Sequence, residues 1–495
     1  MAPEKSFSRW GLILAALGMA VGTGNIWRFP RILAANGGGA FLIPWAIFLF
    51  LWSIPLLMTE FALGQSTRKG PAGAFGRLIG KPYNWMGCYV GVCTMAIMFY
   101  YSVVAGWCFK YFIAAVDGTL AAGISNAGGN AYWNGFVNSK FEPLVFHFLM
   151  IVGGIFIIRK GVVRGIEKAN KIMLPALLIL LIMASLRAIT LPNATTGINY
   201  LFNPEWHLLL NHKIWLEALS QSAWSTGAGW GLLLTYATYM RRQEDVVLNS
   251  YITGFGNNSA SLLASIAIFP AVFALAPLVG IDPVSKLAET GPASTGLTFI
   301  WMPQLFAKAP LGSLFMALFF LTLSFAAISS LISMLVLAIR MLIDWGLTRE
   351  KATVWVGISG FLLGIPSAVN MAFFENQDWV WSIGLIISGF FFTFAVIKFG
   401  VTRFRKQIIG AARNDLQVGR WYDFLMRFVI PIEFVALICW WFYRATGWQA
   451  EWWHPFKGFT IGTCLFQWGL VIIILIIFNN KIANRTLANS PKNES

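Results

Sequence analysis

Two glycine-rich stretches decide how this chain folds. Residues 18–25 read GMAVGTGN, and residues 225–231 read STGAGWG. A glycine inside a helix costs about 1 kcal/mol relative to alanine, so a helix is weakest at such a cluster. For one cluster alone, close packing of helices over small residues would be the simpler interpretation. Because two clusters stand in corresponding positions, beside Asn25 and Ser225, we expect two helices to be unwound there.

The segments around these clusters are strongly apolar. The 495 residues are 57% hydrophobic and only 11% charged, which is typical of a chain embedded in lipid. A helix needs about 20 mainly apolar residues to cross a membrane. Such segments, which we number as spans 1 to 12, are residues 10–34, 41–66, 86–116, 143–159, 169–190, 213–239, 246–276, 311–345, 353–372, 379–400, 425–445 and 459–478. The sequence therefore predicts an all-α membrane protein with twelve transmembrane helices.

The two interrupted segments are spans 1 and 6, which lie five helices apart. An odd number of helices in a repeat makes the second copy run in the opposite direction, so spans 1–5 and 6–10 are predicted to be inverted repeats. The predicted divisions are an N-terminal segment (1–9), the first repeat (10–190), the second repeat (213–402), spans 11 and 12 (421–480) and a C-terminal tail (481–495).

The net charge of +16 could indicate a nucleic-acid partner, but its placement indicates membrane topology. Basic residues crowd alternate loops, namely Arg68, Lys69, Arg77, Lys81, Arg159, Lys160, Arg164, Lys168, Arg241, Arg242, Arg403, Arg405, Lys406 and Arg413. The opposite loops hold few, such as Lys140, Lys286 and Lys308. By the positive-inside rule, both termini are predicted to be cytoplasmic, in a plasma or inner membrane, with no nucleic-acid partner.

The sequence offers little support for an enzyme. Its four histidines, His147, His207, His212 and His454, have no metal-ligand spacing. The Gly22-x-Gly24 pair lacks the preceding strand and the third glycine of a dinucleotide-binding loop. The five cysteines form no C-x-x-C pair, so neither disulfides nor metal sites are expected.

Two stretches near the N-terminus carry a family resemblance. Residues 22–30 read GTGNIWRFP, and residues 36–44 read NGGGAFLIP. They resemble the neurotransmitter:sodium symporter family, and the resemblance extends through span 10. It implies a sodium-dependent amino-acid transporter, of the prokaryotic kind, that binds its solute between broken helices 1 and 6. A channel or a sensor built on the same fold remains an alternative, since both could keep the ion-binding residues.

The resemblance implies two sodium sites. The first would be formed by Ala20, Asn25, Ser225 and Asn257, and the second by Gly18, Val21, Ala326, Ser329 and Ser330. These groups offer oxygen atoms without a full charge, which suits a monovalent ion better than calcium or magnesium. Taken alone, Ser329 and Ser330 would more often bond to their own helix.

The resemblance also implies where the solute binds. The matching positions are Met19, Ala20, Gly22, Gly24, Ile97, Tyr101, Trp224, Ser225, Gly227, Trp230, Ser330 and Met334. Tyr101 and Trp224 would in addition form an outer aromatic lid, although ordinary packing is the alternative for any single aromatic residue. Relatives that carry amines have an aspartate where this chain has Gly22. The substrate is therefore expected to bring its own carboxylate, as a neutral amino acid does.

The size of the substrate stays open at this point. Trp230 narrows the pocket and Gly227 leaves space for an N-methyl group, which favours glycine, alanine or sarcosine. A pocket for a larger hydrophobic or aromatic amino acid would be lined by Met19, Ile97, Trp224 and Met334.

Charged residues would form gates on either side of this pocket. Arg28 is an intramembrane charge and therefore a functional candidate. The resemblance pairs it with Asp378, with Glu375 as the alternative, at an outer gate.

On the cytoplasmic side, Tyr239 and Asp344 match inner-gate positions. The N-terminal arginine and tryptophan that the family places there are displaced in this chain. Lys5 and Arg9 are the candidates to replace that arginine.

The resemblance finally implies a chloride site at Gln221, Ser225 and Ser261. Ser261 follows Asn257 by four residues and so lies on the same helical face. Two sodium ions and one carboxylate leave a positive charge that an anion would balance. The fit is incomplete because the usual tyrosine of span 2 is Trp45. Alternatively, Ser261 only packs and a proton-linked group balances the charge.

Overall fold

The structure is a computed structural model that describes residues 6–159, 161–280, 282–288, 296–307 and 311–488. Three basic residues considered above, Lys5, Lys160 and Lys308, lie outside these ranges. So do residues 1–5 of the predicted N-terminal segment and residues 489–495 of the predicted tail.

Regular secondary structure in these ranges is entirely helical, which confirms the all-α prediction. The helices that correspond to the predicted spans are Arg9–Ala20, Thr23–Ala35, Gly39–Thr67, Lys81–Val116, Glu142–Arg159, Val162–Ile189, His212–Ser225, Leu232–Ala237, Val246–Leu275, Gly312–Asp344, Arg349–Val369, Met371–Phe399, Arg420–Thr446, Ile461–Ile477 and Asn479–Ala488. Shorter connecting helices are Pro71–Ile79, Thr119–Val137, Ala194–Phe202, Trp206–Leu210, Pro283–Ala288, Leu297–Ala307 and Val401–Gln407.

The number of membrane crossings is only partly fixed by these helices. Among the described residues, 9 helices are long and apolar enough to cross a membrane, and up to 11 if each of two bent pairs is one crossing. The bent pairs are spans 1 and 12. Span 6 consists of two shorter helices separated by residues 226–231, so neither half meets the length requirement. Twelve crossings therefore remain a prediction.

Span 1 is broken where the sequence predicts it. Its first helix ends at Ala20, and Gly22 is extended, with φ −103° and ψ −175°, before a second helix begins at Thr23. The two helices bend by 61°. At the break, the Gly22 N–H donates to the Ala20 carbonyl at 3.1 Å and the Gly22 carbonyl accepts from the Asn25 N–H at 3.2 Å. These local contacts replace part of the regular helical hydrogen bonding.

Span 6 is broken over a longer stretch, for a reason that its glycines explain. Gly227, Gly229 and Gly231 have φ values of 75°, 87° and 76°. Side chains with a Cβ rarely adopt this left-handed region, whereas glycine does so readily. Three such residues within a stretch of five prevent a continuous helix. The prediction that helices 1 and 6 are broken is therefore confirmed.

The helices differ in how much of their surface the protein covers. The most apolar window of Lys81–Val116 is 78% buried, whereas that of Arg420–Thr446 is only 28% buried. Lys81–Val116 packs against Gly312–Asp344 and Met371–Phe399 in the interior. Spans 4, 5, 9 and 11 leave apolar side chains exposed on the outside. The two breaks thus lie within a surrounded bundle, where protein groups can satisfy their backbone.

Candidate ion and substrate site

A small cavity lies between the two breaks. Its volume is about 40 Å³, and it is lined by Met19, Ala20, Gly22, Gly24, Asn25, Tyr101, Trp224, Ser225, Gly227, Trp230, Leu232, Ser330 and Met334. Of the predicted substrate residues, only Ile97 is not among those that line it. Ile97 is fully buried in Lys81–Val116 instead. The structure thus brings together nearly all of the residues that the resemblance implied.

Oxygen atoms converge at the predicted first sodium site. The side-chain amide of Asn257 lies 3.0 Å from the carbonyl oxygens of both Ala20 and Ser225. These carbonyls belong to the two broken helices, so Asn257 of span 7 links the breaks in spans 1 and 6.

Asn25 joins this cluster through both ends of its amide. Its oxygen accepts a hydrogen bond of 2.9 Å from the Gly22 N–H. Its nitrogen donates to the side-chain oxygens of Asn257 and Ser261, each at 2.8 Å. Asn25 therefore fixes the backbone of the first break to span 7.

The two helices that carry the residues of the predicted second sodium site are in contact. The helix Arg9–Ala20 packs against Gly312–Asp344. The Ser330 hydroxyl donates to the carbonyl of Met19 across this contact, at 3.3 Å. The Ser329 hydroxyl donates to the Ala326 carbonyl of its own helix, at 3.0 Å. Its lone pairs remain free to accept or to coordinate.

Asn170 of span 5 lies beside the second site, and the sequence analysis missed it. A Cβ added to Gly18 would lie 2.8 Å from the Asn170 amide nitrogen. The amide oxygen of Asn170 is buried without a hydrogen-bond partner. The residue has no signal of its own in the sequence, because a single asparagine between Ala169 and Lys171 at the polar start of a helix is ordinary.

Glu60 is a second residue that the sequence analysis missed. Its fully buried carboxylate accepts hydrogen bonds from the N–H groups of Gly229, at 2.7 Å, and Leu234, at 3.2 Å. An acid inside an apolar span was the available signal. Glu60 satisfies part of the backbone that the break in span 6 exposes.

The carbonyl groups of the same break are also satisfied by the protein. The Ser388 hydroxyl donates to the Gly229 carbonyl at 2.5 Å, and the Thr94 hydroxyl donates to the Trp230 carbonyl at 2.6 Å. These bonds offset the cost of unwinding in an apolar environment, where each unpaired group costs several kcal/mol. Ser225, at the beginning of the break, lines the cavity.

A larger cavity of about 690 Å³ lies outside the central one. Tyr101 and Trp224 line both cavities, so they stand between them, where the predicted lid would lie. Arg28 and Asp378 also line the larger cavity, but no ion pair joins them within 4.0 Å among the described residues. The two residues predicted to form the outer gate are therefore not paired in this structure.

Each partner of that gate has another contact. The Arg28 guanidinium lies over the Trp224 ring, 4.5 Å from its centroid. Asp378 accepts from the Ser382 hydroxyl at 3.3 Å, and Ser382 accepts from the Trp224 indole N–H at 3.0 Å. Trp224 thus connects the two charges. Glu375, the predicted alternative to Asp378, lines the same cavity.

The predicted inner gate has a different partner from those expected. Asp344 forms an ion pair with Arg340 of its own helix at 3.2 Å, and accepts from the Gly70 N–H at 2.6 Å. Arg9, one of the two candidates, instead lies 3.9 Å from Asp415, and both side chains are exposed. Arg9 therefore does not pair with Asp344 in this structure, whereas Arg340 does.

Phe7 anchors the N-terminal segment on the same side. Its ring is buried and makes edge contacts with Tyr236 and Tyr239, with centroids 5.9 Å and 6.3 Å apart. Its N–H donates to the Tyr239 carbonyl at 3.1 Å. Trp10, by contrast, is 71% exposed. The N-terminal aromatic residue that packs against this side of the bundle is therefore Phe7 and not Trp10.

Several buried polar groups lie near the predicted chloride site. The helix His212–Ser225, which carries Gln221, packs against the segment that carries Trp45. Within the described ranges, neither polar atom of the Gln221 amide nor the Trp45 indole N–H has a hydrogen-bond partner, although all are buried. Ser261 accepts from Asn25. Buried N–H donors of this kind are suited to binding an anion.

Comparison with known proteins identifies the family. The model of the Sodium:neurotransmitter symporter family matches residues 4–135 and 140–484. The chain belongs to this family. An uncharacterised sodium-dependent transporter of Methanocaldococcus jannaschii is 33% identical over 465 residues, covering 88% of this chain and 90% of the relative.

Further members of the sodium:neurotransmitter symporter family resemble the chain at similar levels. A sodium- and chloride-dependent glycine transporter of Xenopus laevis is 28% identical, covering 72% of this chain and 65% of that protein. The crystal structure of MhsT in complex with L-phenylalanine matches with a TM-score of 0.75 at 29% identity, covering 88% and 99%. These relatives are membrane transporters, which supports a role other than catalysis.

Proposed function

We propose that this protein is a sodium-coupled symporter of a neutral amino acid or a close derivative, in the cell membrane with both termini cytoplasmic. The observation that carries the proposal is that the Ala20 and Ser225 carbonyls, one from each broken helix, both lie 3.0 Å from the Asn257 amide. Ala20 and Ser225 also line the central cavity. An ion held there would contact the carboxylate of the solute, so solute and sodium would bind together.

The charge of the cavity supports a substrate that carries its own carboxylate. Every residue that lines the cavity is uncharged. A Cβ added to Gly22 would lie 2.9 Å from the Ser330 hydroxyl and 3.4 Å from the Tyr101 hydroxyl. A side chain at this position would therefore crowd the Ser330 hydroxyl, whereas its Cβ would make only an ordinary van der Waals contact with the Tyr101 hydroxyl. The negative charge that balances the sodium ion would therefore come from the substrate.

The dimensions of the cavity favour a small substrate. Its volume is only about 40 Å³, against about 690 Å³ for the larger cavity outside it. A Cβ added to Gly227 would lie 2.6 Å from the Met19 sulfur, so Met19 fills the space above this glycine. The Trp230 ring, which packs against Trp224 at 5.6 Å, closes another side. Among the small substrates expected, glycine and alanine require the least rearrangement, whereas the N-methyl group of sarcosine would require Met19 to move, because the space expected beside Gly227 is filled.

A larger aromatic amino acid is the second candidate. The similar structure of MhsT holds L-phenylalanine. Methionine is unbranched and has three rotatable bonds, so Met19 and Met334 can move aside for a bulkier side chain. Trp230 lines the cavity, and its buried indole N–H has no partner in the part of the chain that the structure describes.

A thermal-shift screen in sodium and in potassium buffer tests the substrate class. Glycine, alanine or sarcosine should stabilise the protein in sodium only, because anything that binds the folded state raises its apparent stability. Stabilisation by phenylalanine or tryptophan alone would support the second candidate. Stabilisation by a decarboxylated amine, without competition from amino acids, would contradict the carboxylate argument. A channel or sensor would bind in the same way but would not accumulate solute.

We further propose two sodium ions, at the sites described above, and one chloride ion. The Gln221 amide and the Trp45 indole supply N–H donors that have no partner among the residues the structure describes. Two sodium ions and one carboxylate leave one positive charge in a site of low dielectric, where an anion is strongly attracted. The Xenopus relative is named as chloride-dependent. A proton-linked group remains the alternative source of charge balance.

A further inference from the structure

A second apolar cavity opens on the outer surface of the bundle, away from the substrate site. Its volume is about 320 Å³, and it lies between spans 5, 7 and 8 and the helix Leu297–Ala307. Met183 and Leu186, at its rim, are 51% and 63% exposed. Such apolar exposure on a membrane protein marks the surface that faces lipid. The cavity therefore opens towards the acyl chains of the bilayer.

The interior of this cavity is mainly apolar. Its lining contains one charged residue, Arg187, and one hydroxyl, that of Thr322. The Thr322 hydroxyl already donates to the Leu318 carbonyl at 2.7 Å. A cavity whose polar groups are satisfied and whose walls are apolar stays dry. An apolar chain therefore suits this cavity better than water does.

Arg187 gives the rim of the cavity a positive charge. It lies in the last turn of Val162–Ile189, at the end of the span and hence near the headgroup level. One nitrogen donates to the Thr190 hydroxyl at 3.0 Å, and the guanidinium lies 5.8 Å from the Phe315 centroid. No acid pairs with Arg187 anywhere in the described ranges. Its remaining donors suit a phosphate, which guanidinium groups bind in a bidentate manner.

We propose that this cavity binds one acyl chain of an anionic phospholipid of the surrounding bilayer, with the lipid phosphate on Arg187. Charge complementarity at the rim selects the anionic headgroup, and the dry interior receives the chain. This site is separate from the substrate and ion sites, and it adds a specific lipid to the partners of the protein.

The depth of the cavity connects this lipid to the ion site. Ile26, which follows Asn25 directly, lines the cavity, as does Ala264 of span 7. Ala264 lies about one helical turn beyond Ser261. The bound chain would therefore pack against both helices that Asn25 joins. It would stabilise the contact between the second half of span 1 and span 7.

Lipid binding can be measured by native mass spectrometry of the full chain after reconstitution with phosphatidylglycerol or phosphatidylcholine. The wild type should retain one phosphatidylglycerol in preference to phosphatidylcholine. Arg187→Gln should weaken that retention about fivefold, which corresponds to the attraction of one basic residue to anionic lipid. Arg159→Gln, an exposed arginine outside the cavity, should change nothing.

A second variant tests the chain itself. Ala267→Phe places a ring in the cavity and should abolish retention of phosphatidylglycerol, whereas Val354→Phe on another lipid-facing helix should not. Phosphatidylglycerol should also raise the melting temperature of the wild type but not of the Ala267→Phe variant. Equal retention of both lipids, retention of free fatty acid but not phospholipid, or unchanged binding in both cavity variants would overturn the proposal. None of these readouts depends on transport.

Discussion

Replacing Asn25 with alanine is the most informative single substitution in the proposed ion site. The side chain makes hydrogen bonds to the Gly22 N–H, to the backbone and side-chain oxygens of Asn257 and to the Ser261 hydroxyl. Asn25→Ala removes these bonds and one oxygen ligand of the ion. A bond to a charged group contributes about 1.5–3 kcal/mol, so sodium should bind about tenfold to 100-fold more weakly.

A sodium titration of substrate-induced thermal stabilisation measures this effect. The half-saturating sodium concentration should rise about tenfold to 100-fold for Asn25→Ala. The matched control is Asn249→Ala, which also removes a buried asparagine, but one that only bonds to the Asp245 carbonyl within span 7. Its half-saturation should stay at the wild-type value even if its stability falls. The reasoning is refuted if Asn25→Ala leaves half-saturation unchanged or if both variants shift it equally.

Three further substitutions test other parts of the site. Glu60→Ala should lower the melting temperature, because it leaves two buried N–H groups unpaired at about 1–3 kcal/mol each, whereas Glu60→Gln should recover part of the loss. Equal melting temperatures for the two variants would contradict this role. Arg28→Ala should slow sodium-driven uptake, since the outer gate then lacks its cation; normal uptake would show that no such gate operates. Exchange of chloride for gluconate should weaken wild-type uptake, and Ser261→Glu should remove that sensitivity; equal uptake in both anions would rule out chloride.

The positions of the spans followed from the sequence because long apolar runs are a strong signal. Span 8, predicted at residues 311–345, is the helix Gly312–Asp344, and span 7, predicted at 246–276, is Val246–Leu275. The breaks were predictable because two glycine clusters stand in corresponding positions of spans 1 and 6, which helix packing alone does not explain. The predicted count of twelve crossings is not confirmed by helix length, because each half of a broken helix is shorter than a full span.

The contacts that close the inner side were harder to predict. Asp344 and Arg340 are four residues apart on one helix, a spacing that favours an ion pair, so this partner was visible in the sequence. The role of Phe7 was not visible in the sequence. Its contacts with Tyr236 and Tyr239 depend on how segments distant in the sequence pack together. Glu60 falls between these cases: its burial was predictable, but its partners in span 6 were not.

Accumulation of solute against its gradient tests the central proposal most directly. The purified protein would be reconstituted into vesicles, and uptake of labelled glycine or alanine, or of the amino acid found by thermal shift, would be followed with sodium outside and potassium inside. Sodium-coupled symport predicts a transient rise of internal substrate above the external concentration, which disappears when the sodium gradient is removed. Uptake that never exceeds the external concentration, or that is the same in potassium alone, would contradict the proposal.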